Sequence, residues 1–72
     1  MEEYIVDGKA IGNRLRLLRG DKTIDEVAND VGISRSALNM YELGERIPRD
    51  TKKLQLAKYY GISIEELFFS KN

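Results

Sequence analysis

The sequence predicts an all-α fold, a compact arrangement of five helices preceded by a short extended arm. Three observations predict it. Apolar residues recur at helical spacing in successive short stretches. Glycines at 20, 32, 44 and 61 punctuate those stretches. Hydroxyl residues stand where helices begin, as in Thr23 with Glu26 and Ser63 with Glu66, the spacing of a capping box. A length of 72 residues allows one small domain, near the size at which a single core is only marginally stable. We divide the chain into an arm over residues 1–9 and a helical domain over residues 10–69.

The arm carries Glu2 and Glu3 and then Tyr4, Ile5 and Val6, a β-favouring run ended by Asp7-Gly8. Its acids argue against a minor-groove arm, which would use Arg or Lys; packing on helix 1 and pairing with a second subunit stay open. Helix 1 is expected from about Ala10 to Arg19, with Ile11, Leu15 and Leu18 facing inward. Thr23 opens helix 2, where Val27, Ala28 and Val31 repeat the period up to Gly32. That glycine fits the left-handed position that ends a helix, and Ser34 is a suitable cap for helix 3. Ala28 is small, as required if helix 3 crosses close by. Gly44 ends helix 3, and Pro48 keeps Ile47 extended in the following loop. Asp50 is expected to cap helix 4, whose apolar stripe is Leu54, Ala57 and Tyr60, widened by Leu56. Ser63 and Glu66 start helix 5, with Ile62 and Leu67 as a hydrophobic staple.

Helix 3 has an unusual outer face. Leu38, Tyr41 and the flank of Glu42 turn inward, while Ser36, Asn39, Met40 and Leu43 turn outward with Arg35 at the edge. A plainly solvated face would favour Lys, Glu and Gln. These side chains instead suit base edges and thymine methyls in a major groove: Arg35 for guanine or phosphate, Asn39 for adenine, Ser36 permissively and Met40 over a methyl.

Composition narrows the function classes. The chain has no cysteine and no histidine, which removes disulfides, the usual zinc sites and every Ser-His or Cys-His nucleophile. Adjacent carboxylates such as Glu65 and Glu66 point about 100° apart on a helix and cannot clasp one substrate atom. We expect no enzyme activity, metal or cofactor. No apolar run exceeds three residues, so neither a membrane span nor a signal-peptide core is expected, and the expected residence is cytoplasmic. Twelve basic and twelve acidic residues give zero net charge, where a nucleic-acid binder is often basic. Local distribution can offset that balance: Arg35, Arg46, Arg49, Lys52 and Lys53 cluster in and after helix 3.

The stretch GISRSALNMYELGERIP resembles the turn and recognition helix of the Cro and phage-repressor type helix-turn-helix regulators. The similarity runs from about Ile11 to Phe68 and takes in IGNRLRLLR, TIDEVANDVG and LAKYYGISIEELF. It implies a five-helix DNA-binding domain acting as a dimer on a two-fold operator in double-stranded DNA. In such relatives an arginine late in helix 1 pairs with a glutamate of the recognition helix, positions matched here by Arg19 and Glu42. A carboxylate beside Leu38 and Tyr41 needs such a partner on physical grounds too. Relatives place basic groups of the loop after the recognition helix on phosphates, which suits Arg46 and Arg49; Thr23, Ser34 and Lys52 are further candidates, Lys52 having ordinary solvation as its alternative. Two departures stand out. The link between helices 1 and 2 is about two residues shorter than is common, and Ile24 occupies the place of a phosphate-binding glutamine.

Helix 5 ends in Leu67-Phe68-Phe69, and so small a chain cannot easily bury all of these with Tyr59. Tyr59, Phe68 and Phe69 are therefore candidates for a homodimer surface, since relatives often dimerise at this end; the alternative is that Phe68 is core. The function expected is a sequence-specific DNA-binding regulator, a repressor, reading the major groove with Ser34 to Leu43. The alternative is an interaction module of the same fold that uses Met40 and Leu43 on a partner regulatory protein.

Overall fold

The computed structural model describes residues 4, 5, 7–68, 70 and 71. Five helices follow one another, α1 (Gly8–Arg19), α2 (Ile24–Val31), α3 (Arg35–Leu43), α4 (Asp50–Tyr60) and α5 (Ile64–Phe68), framed by two-residue strands β1 (Tyr4–Ile5) and β2 (Ser70–Lys71). Local chemistry accounts for most of the boundaries. The Thr23 hydroxyl accepts the Glu26 amide at 3.0 Å, Ser34 accepts that of Ala37 at 3.0 Å, and Ser63 accepts that of Glu66 at 3.0 Å. Gly32 closes α2 in the left-handed conformation at φ 86°, which a β-carbon would disfavour. Between Gly32 and Arg35 there is room only for a sharp turn, and α3 packs against α2, where Val27 and Ala28 are buried.

Helix α1 starts two residues before the expected Ala10. Asp7 is its cap, its carboxylate accepting the amides of Lys9 at 3.0 Å and Ala10 at 3.4 Å. The inward face of α1 also differs. Ile11 and Leu15 are buried, but Leu18 is exposed, and Gly12 is buried in its place. The cause is the approach of α3: a β-carbon on Gly12 would lie 2.3 Å from the carbonyl oxygen of Glu42 and 2.8 Å from that of Tyr41. Backbone meets backbone there, which turns α1 so that Leu18 rolls toward solvent.

In α4 the expected stripe is shifted. Leu56 and Ala57 are buried and Tyr60 is half-buried, whereas Leu54 is exposed. Lys53 occupies the first position of the i, i+3, i+4, i+7 series that continues through Leu56, Ala57 and Tyr60, and its aliphatic stem lies against the protein. Asp50 does not cap this helix. Arg49 holds the cap position without a side-chain bond, and Asp50 is the first helical residue, 3.7 Å from Lys53.

The core joins all five helices through Ile11 and Leu15, Val27 and Ala28, Leu38 and Tyr41, Leu56 and Ala57, and Leu67 and Phe68. Phe68 is fully buried and so belongs to the core and not to an exposed dimer surface. Burying a side chain of that size stabilises by about 3 kcal/mol, which a domain this small cannot forgo. Phe69, Glu2, Glu3 and Val6 lie outside the described residues. The described part of the arm is a strand, β1, antiparallel to β2 of the same chain, with Tyr4 opposite Lys71 and Ile5 opposite Ser70.

Candidate nucleic-acid interface

The exposed side of the α2–α3 pair is built from the helix starts. Ile24 of α2 and Arg35, Ser36 and Asn39 of α3 line one open cleft of about 210 Å³. Ser36 and Asn39 are exposed, so a hydroxyl and an amide face outward from a rigid helix, while Ile24 supplies an apolar, half-buried wall. Arg35 stands at the edge, its Nε 3.0 Å from Oδ1 of Asp25 in an exposed ion pair. Met40 is half-buried and does not line the cleft; with the exposed Leu43 it continues the same face toward the helix C-terminus. Asp25 is a residue that sequence reasoning missed. An acid in the first turn of a helix is explained by the helix dipole alone, and nothing local ties it to Arg35.

The candidate phosphate groups lie at helix starts and in the loop after α3. Thr23 and Ser34 are helix caps, so their oxygens already accept backbone amides, and the Thr23 hydroxyl also donates to Glu26 Oε1 at 3.3 Å. Each lies at a helix start, where free amides and the dipole favour an anion. Arg46 is exposed in the loop after α3, Arg49 is exposed at the start of α4, and Lys52 is half-buried in the first turn of α4.

Near the C-terminus of α3, Arg19 and Glu42 form a two-bond pair. Arg19 Nε donates to Glu42 Oε2 at 2.8 Å and Nη2 donates to Oε1 at 2.9 Å, while Nη1 donates to the Lys22 carbonyl at 2.7 Å. The Glu42 side chain is 3% exposed and that of Arg19 19%. The bond to Glu42 raises the Arg19 pKa above its ordinary value. Sealing this carboxylate removes one negative charge from the inner flank of α3 without exposing it to the outer face. Nearby, burial first and the Glu42 charge second push the Tyr60 hydroxyl up to about 12. That hydroxyl is buried without a hydrogen-bond partner among the described residues.

Tyr59 is committed to contacts inside the chain. Its hydroxyl donates to Asp30 Oδ2 at 2.8 Å and accepts from Lys22 Nζ at 3.0 Å, and its ring meets that of Tyr60 edge-on at 5.0 Å. The bond to Tyr59 raises the Lys22 pKa. The larger exposed apolar feature lies between α1 and α5, where Leu17, 80% exposed, joins Leu18, Ile62, Arg14 and Glu66 around a recess of about 300 Å³. Among the described residues no group of three or more His, Cys, Asp or Glu could hold a metal ion, and no helix is long and apolar enough to cross a membrane.

Comparison with known proteins places this geometry. A family profile described as helix-turn-helix matches residues 14–67. The cryptic phage CTXphi transcriptional repressor RstR of Vibrio cholerae is 35% identical over 57 residues, which are 76% of this chain and 51% of the repressor. The chain thus spans about half the length of that curated relative. The SOS-response transcriptional repressor LexA from Eubacterium rectale superposes with a TM-score of 0.80 at 28% identity, covering 86% of this chain and 68% of that one. The restriction-modification controller protein C.AhdI from Aeromonas hydrophila superposes with a TM-score of 0.74 at 34% identity, covering 83% of this chain and 94% of that one.

Proposed function

Because the chain belongs to the helix-turn-helix family, we propose that it is a sequence-specific DNA-binding transcriptional regulator, a repressor, which reads the major groove with α3. The observation that carries this reading is the cleft at the start of α3, where Arg35, Ser36 and Asn39 face outward from a helix fixed to the core through Leu38 and Tyr41. In this docking mode the N-terminal residues of the second helix reach the base edges. Asn39 then pairs with adenine, Arg35 with guanine, Ser36 accepts either partner, and Met40 covers a thymine methyl at the margin. Arg46, Arg49 and Lys52, with the helix starts at Thr23 and Ser34, hold phosphates and fix the register. The repressors among its relatives support the sign of regulation.

The unit that binds runs through the five helices, and it acts in the cytoplasm without a cofactor or catalytic step. We infer a homodimer on a two-fold operator, with half-sites about 34 Å apart so that two recognition helices enter successive grooves. The exposed Leu17 beside Leu18 and Ile62 supports a partner surface, and a second copy is the partner that a two-fold operator requires.

Selection of bound duplexes from a random pool tests the whole reading. The expected result is a two-fold consensus, bound with an affinity that falls steeply with salt. Absence of any enriched duplex overturns it and leaves the α3 face to a protein partner, whose apolar contacts would be insensitive to salt.

A further inference from the structure

We propose that Ile24, a residue of α2 outside the recognition helix, is a specificity-determining residue whose side chain reads the C5-methyl group of a thymine. The proposal rests on the DNA-reading function above and adds to it a contact that carries no charge.

The cleft at the start of α3 is polar on three sides, with Arg35, Ser36 and Asn39, and Ile24 supplies its apolar wall. A base edge addressed by those three side chains therefore has a hydrocarbon surface beside it. Among the bases, thymine alone carries an apolar group on its major-groove edge, the C5-methyl, and it stands next to the O4 acceptor. Ser36 can donate its hydroxyl to O4 while Ile24 covers the methyl. Cytosine has a donor in place of O4 and no methyl, so it satisfies neither contact. A phosphate is a poor occupant of this wall, because an aliphatic side chain gives an anion no hydrogen bond and displaces water that would.

The fold fixes where this wall stands. Ile24 is the first residue of α2, directly after the cap Thr23, whose hydroxyl accepts the Glu26 amide at 3.0 Å. It is half-buried and packs against the core, and its β-branch leaves few rotamers to lose. Helix α3 is capped in the same way at Ser34 and packs against α2, so the spacing between Ile24 and the start of α3 is set by both helices. A wall held in this way loses little side-chain entropy on binding. Met40 is unbranched and lies outside the cleft, so it lacks this preparation. Covering the part of Ile24 that faces the cleft with a methyl group takes both apolar surfaces out of water, and that contribution is insensitive to salt. In a chain with zero net charge, it supplies discrimination that does not draw on phosphate attraction.

The test uses the full chain and a duplex taken from the selection. Each thymine is replaced in turn by deoxyuridine, which keeps O4 and the pairing with adenine and lacks only the methyl. The ratio of affinities for parent and substituted duplex is measured at two salt concentrations. At one thymine per half-site the replacement is expected to weaken binding about four-fold, the effect of one methyl group taken out of water. That ratio holds at both salt concentrations although each affinity falls. Ile24→Ala brings the ratio at this thymine to about one, Ile24→Val, which trims a single methyl group and keeps the β-branch, lowers it to about two-fold, and Met40→Ala leaves it unchanged. Each ratio compares two duplexes on one protein, so a loss of folding stability in a variant cancels, and the unaltered protein alone already tests the methyl. A selected duplex in which no thymine responds to loss of its methyl, or in which every responding thymine still responds fully in Ile24→Ala and Ile24→Val, overturns the proposal while leaving the DNA-reading function intact. A protein that enriches no duplex at all overturns both.

Discussion

Two arginine–carboxylate pairs lie at opposite ends of α3, and their difference separates what holds this molecule from what it offers to a ligand. Arg19 and Glu42 make two short bonds near the C-terminus of the helix, with the carboxylate 3% exposed. Arg35 and Asp25 make a single contact at its N-terminus, with both side chains more than 70% exposed. The chemistry is the same and the solvent is not. Removing one partner of the buried pair strands a charge away from water, whereas removing one of the exposed pair releases the other into it. The buried pair therefore fixes the position of α3, and the exposed one is free to exchange partners with a ligand.

Glu42→Ala breaks the comparison at its stronger end. It leaves the Arg19 guanidinium largely shielded, and a loss of about 3 kcal/mol in folding stability is expected from the urea midpoint. A loss below about 0.5 kcal/mol would place this pair in the solvated class with the other. Gly12→Ala attacks the same interface without touching a charge. Its methyl would meet backbone of Glu42 and Tyr41, which cannot move aside as a flexible side chain does, so a loss of about 2 kcal/mol is expected in the same measurement. Stability equal to the parent would show that α1 can retreat from α3 at little cost.

On the exposed side the readout changes from folding to binding. Asn39→Ala is expected to leave the urea midpoint unchanged, to cost about 1.5 kcal/mol on the preferred duplex and to relax preference at one base pair, whereas Arg46→Ala weakens all duplexes alike. Unaltered preference in Asn39→Ala would remove this side chain from base reading.

Tyr60 sharpens the contrast through pH. Its folded pKa of about 12 lies above the ordinary value of 10, so its neutral form is the one the fold favours. The associated stability is present below pH 10 and is lost as pH rises from there through about 12. Because its hydroxyl has no hydrogen-bond partner among the described residues, Tyr60→Phe is expected to match the parent near neutral pH and to exceed it above about pH 11 in urea midpoint. A constant difference across that range would count against burial of the hydroxyl. The smallest effect is expected for Arg35→Ala, below about 0.5 kcal/mol in folding stability; a larger loss would mean that the exposed pair is structural after all.

Legibility in the sequence followed the range of the chemistry involved. Thr23, Ser34 and Ser63 bond amides three residues on, so the starts of α2, α3 and α5 were readable from a few letters. The buried pair needed the family resemblance, since Arg19 and Glu42 are remote in sequence and only the fold brings them together. The face of α4 was misplaced because Lys53 carries an apolar stem under a charged name, leaving Leu54 to mimic the stripe. Asp50 looked like a cap because its type favours caps, but the chain turns into the helix at Arg49. Gly12 gave no sign of its role, which exists only because α3 lies against it. Phe68 was uncertain because the capacity of a small core cannot be judged until its members are known. The outward face of α3 was legible as a pattern, but the carboxylate that pairs with its arginine was not, because it belongs to another helix.

The pairing of β1 with β2 has a mechanical consequence. Tyr4 faces Lys71 and Ile5 faces Ser70, so both continuations toward the chain ends leave from the same end of the ribbon. A force that pulls those ends apart loads the strands in a peeling geometry, in which hydrogen bonds fail one after another and never share the load. Two paired residues offer little resistance of that kind. In an optical trap holding both termini, the ribbon is therefore expected to open first, at low force and with a short extension, before the helices yield together. The ribbon is thus the first element to yield to such a force, and the helices carry the load once it has opened.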